Sequence, residues 1–242
     1  MLTKAQLESA SDVAAQALFD AIVDGRIPPG APLRLKELSE QLGMSMMPVR
    51  EAIRRLAALD LVEIEPRKGA RVREMTIDDL QDTYFTRVHL ESIAVWEAAK
   101  RFGPEDHEKA SAALDDRARA EAAGDRVGER DAHERFHFAL YEASRRVWIV
   151  RSILPAWRNS ERYRVGALRR HEMQGERDNE HAQLLAALGR GDGDDAVRWM
   201  VAHLDTSVRM SAESLAELSG DPAPPVSLPR AGEIVSGLLA AE

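Results

Sequence analysis

A chain of 242 residues, 44% of them hydrophobic, is long enough for two units of ordinary size, each with a core of its own. Cysteine is absent, which excludes disulfides, thiolate nucleophiles and Cys-type zinc sites, so any metal has to be held by His, Asp or Glu. The net charge of −8 falls wholly after residue 75: residues 1–75 balance eleven basic against eleven acidic residues, and 34–73 carry nine basic against six acidic, so a phosphate-binding face is confined to the first unit.

From Ser11 to Asp24, the residues Val13, Ala17, Leu18, Ala21 and Ile22 recur at helical spacing, and Gly25 follows where a helix end commonly takes a left-handed residue. Pro28-Pro29-Gly30 reads as a turn, after which Leu35, Leu38 and Leu42 mark a short second helix closed by Gly43. Ser45 is a natural N-cap, and Pro48 is tolerated in a first helical turn. Val49, Ala52, Ile53 and Leu56 then form one apolar face running to Leu59. Two short helices joined by so tight a turn predict a helix-turn-helix. The alternating runs 61–64 and 70–73, around Pro66-Arg67-Lys68-Gly69, predict a small β-hairpin wing.

With Val49, Ile53 and Leu56 facing inward, Met47, Arg50 and Arg54 project from the opposite side of the third helix, whose first turn is the part that enters a major groove. A single arginine is as readily a solvated surface charge as a DNA contact. Taken together, Lys36, Ser45, Met46, Met47, Arg50 and Arg54, with Arg67, Lys68 and Gly69 on the wing, form a candidate DNA-contacting set led by Arg50. The 25–30 segment, Leu38-Ser39, Leu42-Gly43, Ser45, Pro48-Val49-Arg50-Glu51-Ala52, Leu56, Leu61-Val62 and Gly69 resemble the winged-helix domain of GntR-family bacterial transcription regulators over most of residues 11–74. That family commonly opens its recognition helix with Ser-Arg-Thr-Pro, where this chain has Ser45-Met46-Met47-Pro48. Methionine makes no bidentate hydrogen bonds to guanine, so the resemblance implies DNA binding at an altered operator, with apolar contact to thymine methyls as a substitute.

Thr76 reads as the N-cap of a new helix. Beyond it the chain is rich in Ala, Leu, Arg and Glu without a strand signal, and breaks at Gly103-Pro104, Gly124-Asp125, Ser144, Gly175 and the 189–193 run predict six helices. Among them His133 and His137 stand four apart on one helix face, and Glu134 completes the HExxH pattern of zinc proteases. A hydrolase would require Glu134 as a base beside an open metal position. The winged helix in front and the lack of a cleft-forming sheet weigh against that reading, which leaves Glu134 as an incidental, solvent-facing residue. The run from Gly220 to Pro225 reads as a linker, and the apolar tail ending in Leu238-Leu239 is expected to be mobile or weakly docked.

Arg87 with Leu90-Glu91, Phe136-His137 with Leu140, Glu180-His181 with Leu188 and Gly191-Asp192, and Ala196 with His203-Leu204 resemble, in order and spacing, the ligand-binding FCD domain of the FadR subfamily of GntR regulators, across residues 78–218. The resemblance implies a metal inside the bundle, held at the positions of His133, His137, His181 and His203. His133 stands where the family carries Asp or Asn. His181 and His203 are 22 residues apart across a Gly-rich turn, a separation that lets two antiparallel helices present them at similar depth. Four imidazoles suit Zn²⁺, with Ni²⁺ or Cu²⁺ as alternatives, and four neutral ligands leave the ion its full charge, favouring anions. A small carboxylate effector completing the coordination and pairing with Arg87 is therefore expected. A homodimer on a two-fold-symmetric operator follows from the same resemblance. His89, His107 and His171 match no ligand position.

The expected protein is thus mainly α. A winged helix-turn-helix occupies 1–75, an all-α antiparallel bundle of about six helices 76–219, and a Pro-rich linker and tail 220–242. With no leader-like segment and no run of ~20 apolar residues, it reads as a cytoplasmic regulator without a membrane partner. A regulator that senses the metal itself is the alternative, and a zinc hydrolase the remote one.

Overall fold

A computed structural model describes residues 9–167, 174–220, 223 and 225–240. Helix α1 (Ala10–Val23) starts at Ser9, whose hydroxyl accepts the Asp12 N–H at 3.2 Å while the Ser9 N–H donates to Asp12 Oδ2 at 3.0 Å. This reciprocal cap satisfies two donors that a helix start leaves open. The inward face of α1 is rotated from the predicted one: Val13 is exposed, while Ala14, Leu18, Phe19 and Ile22 are buried. Packing of Leu18 and Ile22 into the cluster of Val49, Ile53 and Leu56 decides the rotation.

Strand β1 (Pro32–Leu33), α2 (Leu35–Leu42), α3 (Met46–Ala58), β2 (Val62–Glu65) and β3 (Gly69–Val72) complete the first unit. Gly43 ends α2 at φ 63°, as its position predicts, and the wing turn carries Arg67 at φ 67° and Gly69 at φ 100°. Whereas a two-stranded wing is predicted, the sheet has three antiparallel strands in the order β1-β3-β2, with Val62 opposite Val72 and Pro32 opposite Arg71. Two residues are too few to show alternation, and proline is compatible with this edge strand, so β1 leaves no trace in the sequence pattern.

The second unit consists of the six predicted helices: α4 (Ile77–Ala99), α5 (Pro104–Ala122), α6 (Arg126–Glu142), α7 (Val147–Ala167), α8 (Gln174–Gly189) and α9 (Gly193–Ser219). Thr76, Asp125 and Asp192 cap α4, α6 and α9 through side-chain oxygens, and Pro104 opens α5. The interior holds Tyr84, Val88, Phe136, Leu140, Ile153, Trp157, Leu184 and Met200, all essentially inaccessible. Truncating a residue such as Trp157 to alanine would cost about 3–5 kcal/mol.

The tail takes the docked one of its two expected forms. It forms α10 (Ala231–Ala240), which docks through buried Ile234, with Val226, Leu228, Val235 and Leu238 against the bundle core. The apolar residues of the tail, too few to show a helical stripe beyond doubt against a Pro-rich approach, find a complementary surface only after α4 and α9 have packed.

Candidate metal centre and DNA-contacting face

Helical pitch puts His133 and His137 on the buried side of α6, while α8 and α9 bring His181 and His203 to the same depth. Each offers a ring nitrogen, and these four atoms lie within 4.8 Å of one another. The four rings form a cluster with centroids 4.6 Å apart for His133 and His137, 4.5 Å for His181 and His203, and 5.0 Å for His137 and His203. Trp157 closes one side, stacked on His133 at 5.4 Å and 27°.

Hydrogen bonds behind the rings assign their protons. Arg87 Nε donates to Glu91 Oε1 at 2.6 Å, Tyr141 donates its hydroxyl proton to Glu91 Oε2 at 2.6 Å, and His137 Nδ1 lies 3.1 Å from that hydroxyl oxygen. Burial, and then the Glu91 carboxylate, hold the Tyr141 pKa well above the usual phenol range, so its proton stays in place. His137 Nδ1 must therefore be the donor to Tyr141, which directs the Nε2 lone pair into the cluster. On the other side His203 Nδ1 is 3.0 Å from Glu180 Oε2, and Thr206 Oγ1 holds Glu180 Oε1 at 2.8 Å. A neutral His203 thus also presents Nε2.

His137 Nε2 and His181 Nε2 are 3.2 Å apart. Tetrahedral Zn–N bonds of ~2.05 Å separate neighbouring donors by about 3.3 Å, so the donor set fits a first-row divalent ion, with its outer carboxylate and hydroxyl supports present. His133, His137, His181 and His203 are the residues that would hold it.

Arg87 lies beside this cluster, its guanidinium carbon 4.6 Å from the centre of the Trp157 ring. Burial works against its charge, but Glu91 outweighs burial and raises the pKa. Its bonds to both Glu91 oxygens and to Ser160 Oγ, with a further contact to Tyr141, hold the guanidinium at the edge of the cluster. Glu134 is not solvent-facing, contrary to expectation. Trp157 Nε1 donates to its Oε2 at 3.3 Å and Arg158 Nη2 to its Oε1 at 2.8 Å, and burial raises its pKa against the pull of Arg158. It stands outside the converging nitrogen set, so the hydrolase reading lacks its base. His89 and His107 lie apart from the cluster, and His171 falls outside the described residues.

Sequence reasoning missed Tyr141, Glu180 and Trp157 as parts of the site. Tyr141 carried a signal, being four residues after His137 on the same helical face. Glu180 and Trp157 carried none, because their partners come from other helices.

In the first unit, Met46 and Met47 stand 52% and 63% exposed at the start of α3, beside exposed Ser45, Arg50 and Arg54. Ser45 occupies the N-cap position, yet its side chain makes no capping bond, contrary to the usual role of the residue there. Lys36 on α2 and Arg67, Lys68 and Gly69 at the wing tip are exposed as well. Arg54 pairs with Glu51 at 3.0 Å and Lys68 with Glu65 at 3.0 Å, surface pairs weak enough for a phosphate to displace.

A three-stranded winged helix followed by a six-helix bundle with a buried His cluster defines a two-unit DNA-binding regulator. Residues 10–72 match the family of bacterial regulatory proteins called the gntR family, and residues 82–206 match the FCD domain. The chain belongs to the GntR family of transcriptional regulators, with an FCD domain as its second unit, and is not an enzyme. The HTH-type transcriptional regulator McbR of Escherichia coli (strain K12) is 31% identical over 171 residues, 69% of this chain and 77% of that protein. The HTH-type transcriptional repressor GlaR of the same strain is 28% identical over 207 residues, 82% of this chain and 94% of that protein. A Paenarthrobacter nicotinovorans protein named for repression of a D-xylose utilization operon is 37% identical over 136 residues, and that match spans 58% of its length. Among solved structures, E. coli McbR/YncC shares the fold with a TM-score of 0.75 and 24% identity, over 86% of this chain and 100% of that one.

Proposed function

We propose that this chain is an effector-responsive transcription regulator that acts in the cytoplasm as a homodimer on operator DNA. It holds a divalent ion, Zn²⁺ first and Ni²⁺ second, between His133, His137, His181 and His203, and it takes a small organic acid at that ion. The observation that carries this reading is the convergence of four buried imidazole nitrogens within 4.8 Å, with two of the rings oriented from behind by Tyr141 and Glu180. When bound, the ion supplies a Lewis-acidic centre for a carboxylate oxygen. Arg87, whose guanidinium lies beside the cluster, pairs with another oxygen of the same acid.

On the DNA side, α3 enters the major groove with Met46 and Met47 against thymine methyls and Arg50 toward bases or phosphate, while Arg67 and Lys68 of the wing hold the backbone. Binding of the acid favours one arrangement of the bundle, and the operator affinity of the paired winged helices changes by the same coupling free energy.

The test is metal analysis of the purified chain, followed by operator binding with and without chelator and with single carboxylates at constant metal. About one zinc per chain, and affinity that follows one acid, would support the reading. Affinity that follows metal concentration alone would favour the metal-responsive alternative, which the same His cluster also permits.

A further inference from the structure

The glutamate of the HExxH pattern has no place in the metal centre, yet its carboxylate is fully engaged. Glu134 accepts from Arg158 on α7 and from the indole of Trp157. The Arg158 guanidinium lies over the ring of Phe19, 4.6 Å from its centre, and Phe19 belongs to α1 of the winged helix. One turn before Glu134, buried Arg130 lies 5.8 Å from the centre of the same ring and pairs with Asp20 and with Asp24, the latter at 3.3 Å. Within the eight residues from Arg130 to His137, a stretch of ~10 Å, α6 therefore carries two converging histidines and two anchors of the DNA-binding unit.

From these contacts we infer that Glu134 is a positioning residue that ties the His cluster to the winged helix. The path runs from His133, stacked on Trp157, through the Trp157 indole and Glu134 to Arg158, and from there to Phe19. The carboxylate at position 134 accepts two donors at once and holds Arg158 over the Phe19 ring. Any shift of α6 that accompanies filling of the cluster moves Arg130 and Glu134 together, and α1 with them. α7 adds a second tie at the junction of the units: Arg162 Nη1 donates to the Arg73 carbonyl at 2.8 Å. α1 is thus linked to the bundle at a place remote from the covalent linker. The inference rests on the metal reading proposed above.

Amide hydrogen exchange of the full chain, with and without one equivalent of Zn²⁺, tests it without knowledge of the operator. In the parent protein, zinc should slow exchange in peptides of α6 and also of α1, the latter by about threefold or more. Glu134→Gln and Arg158→Met should each bind zinc within about threefold of the parent in a competition titration, yet show less than half of the parent's zinc response in α1, the remainder being carried by Arg130. Arg158→Lys, which keeps the charge near Glu134, should restore part of the response. An α1 response undiminished in both variants would overturn the tie, as would an α1 indifferent to zinc in a parent protein that binds it. Failure of the parent to bind zinc would sink the metal reading itself, and the tie with it.

Discussion

Glu180 Oε2 lies 3.0 Å from Nδ1 of His203, which places a carboxylate one bond behind the cluster rather than inside it. An aspartate at position 133 would bring a negative charge to the cluster itself, whereas Glu180 sits behind the ring of His203. Glu180→Gln should weaken zinc binding by about 10–100-fold in a competition titration while all four imidazoles remain. An unchanged affinity would mean that Glu180 orients nothing.

His133→Asp tests the charge argument directly. Metal retention is expected, because aspartate can ligate the same ion, while the net charge of the centre drops from +2 to +1 before an acid binds. Affinity for carboxylate effectors should fall by about tenfold or more, read as smaller shifts in melting temperature for the same acids. Identical shifts in both proteins would remove charge as the reason for histidine at this position.

Arg50 is exposed on α3 between Met47 and Arg54 and contributes nothing to the core. Arg50→Ala should leave the melting temperature within about a degree and weaken operator binding more than tenfold in a gel-shift titration. If the loss is uniform across sequences and the salt slope drops by about one, the arginine holds phosphate; if discrimination at one base pair relaxes, it reads a base.

Asp12 joins the start of α1 to α3, and its hydrogen bonds from Ser9, followed by that from Arg55, lower its pKa to about 2. The folded value lies below the ordinary one of 3.8, so the charged form is favoured by folding. Its contribution is complete above about pH 5 and is lost as pH falls toward 2. The gap in melting temperature between the parent and Asp12→Asn should therefore be constant from about pH 5 to 8 and close as acid is added below about pH 4. A gap that does not change with acid would show that the side chain acts through shape alone.

The elements themselves were largely legible. Val49, Ala52, Ile53 and Leu56 repeat at a spacing that only a helix turns to one side, and all four are buried. The breaks at Pro104, Asp125 and Gly191 coincide with observed helix boundaries because caps are local chemistry, decided by the residue and its immediate neighbours. The four histidines were named from short matched pieces, and all four do converge. The exposure of Val13 and the presence of β1 were not legible, because each depends on a surface that another part of the chain creates.

The sequence by itself determined the alternation of helices and wing, the sulfur-free donor set that follows from a chain without cysteine, and the Met46-Met47 pair where an arginine is usual. These depend on residue type and on spacings within a few turns. Tertiary structure decided what the residues face: it brings His137 to His181 across 44 residues, His203 to Glu180 across 23, and Arg130 to Asp20 across 110. Such meetings are set by how apolar helix faces pack, and no local spacing encodes them. Glu134 shows the difference most clearly, since its motif suggested a base at a metal and the packing of α7 pairs it with Trp157 and Arg158 instead.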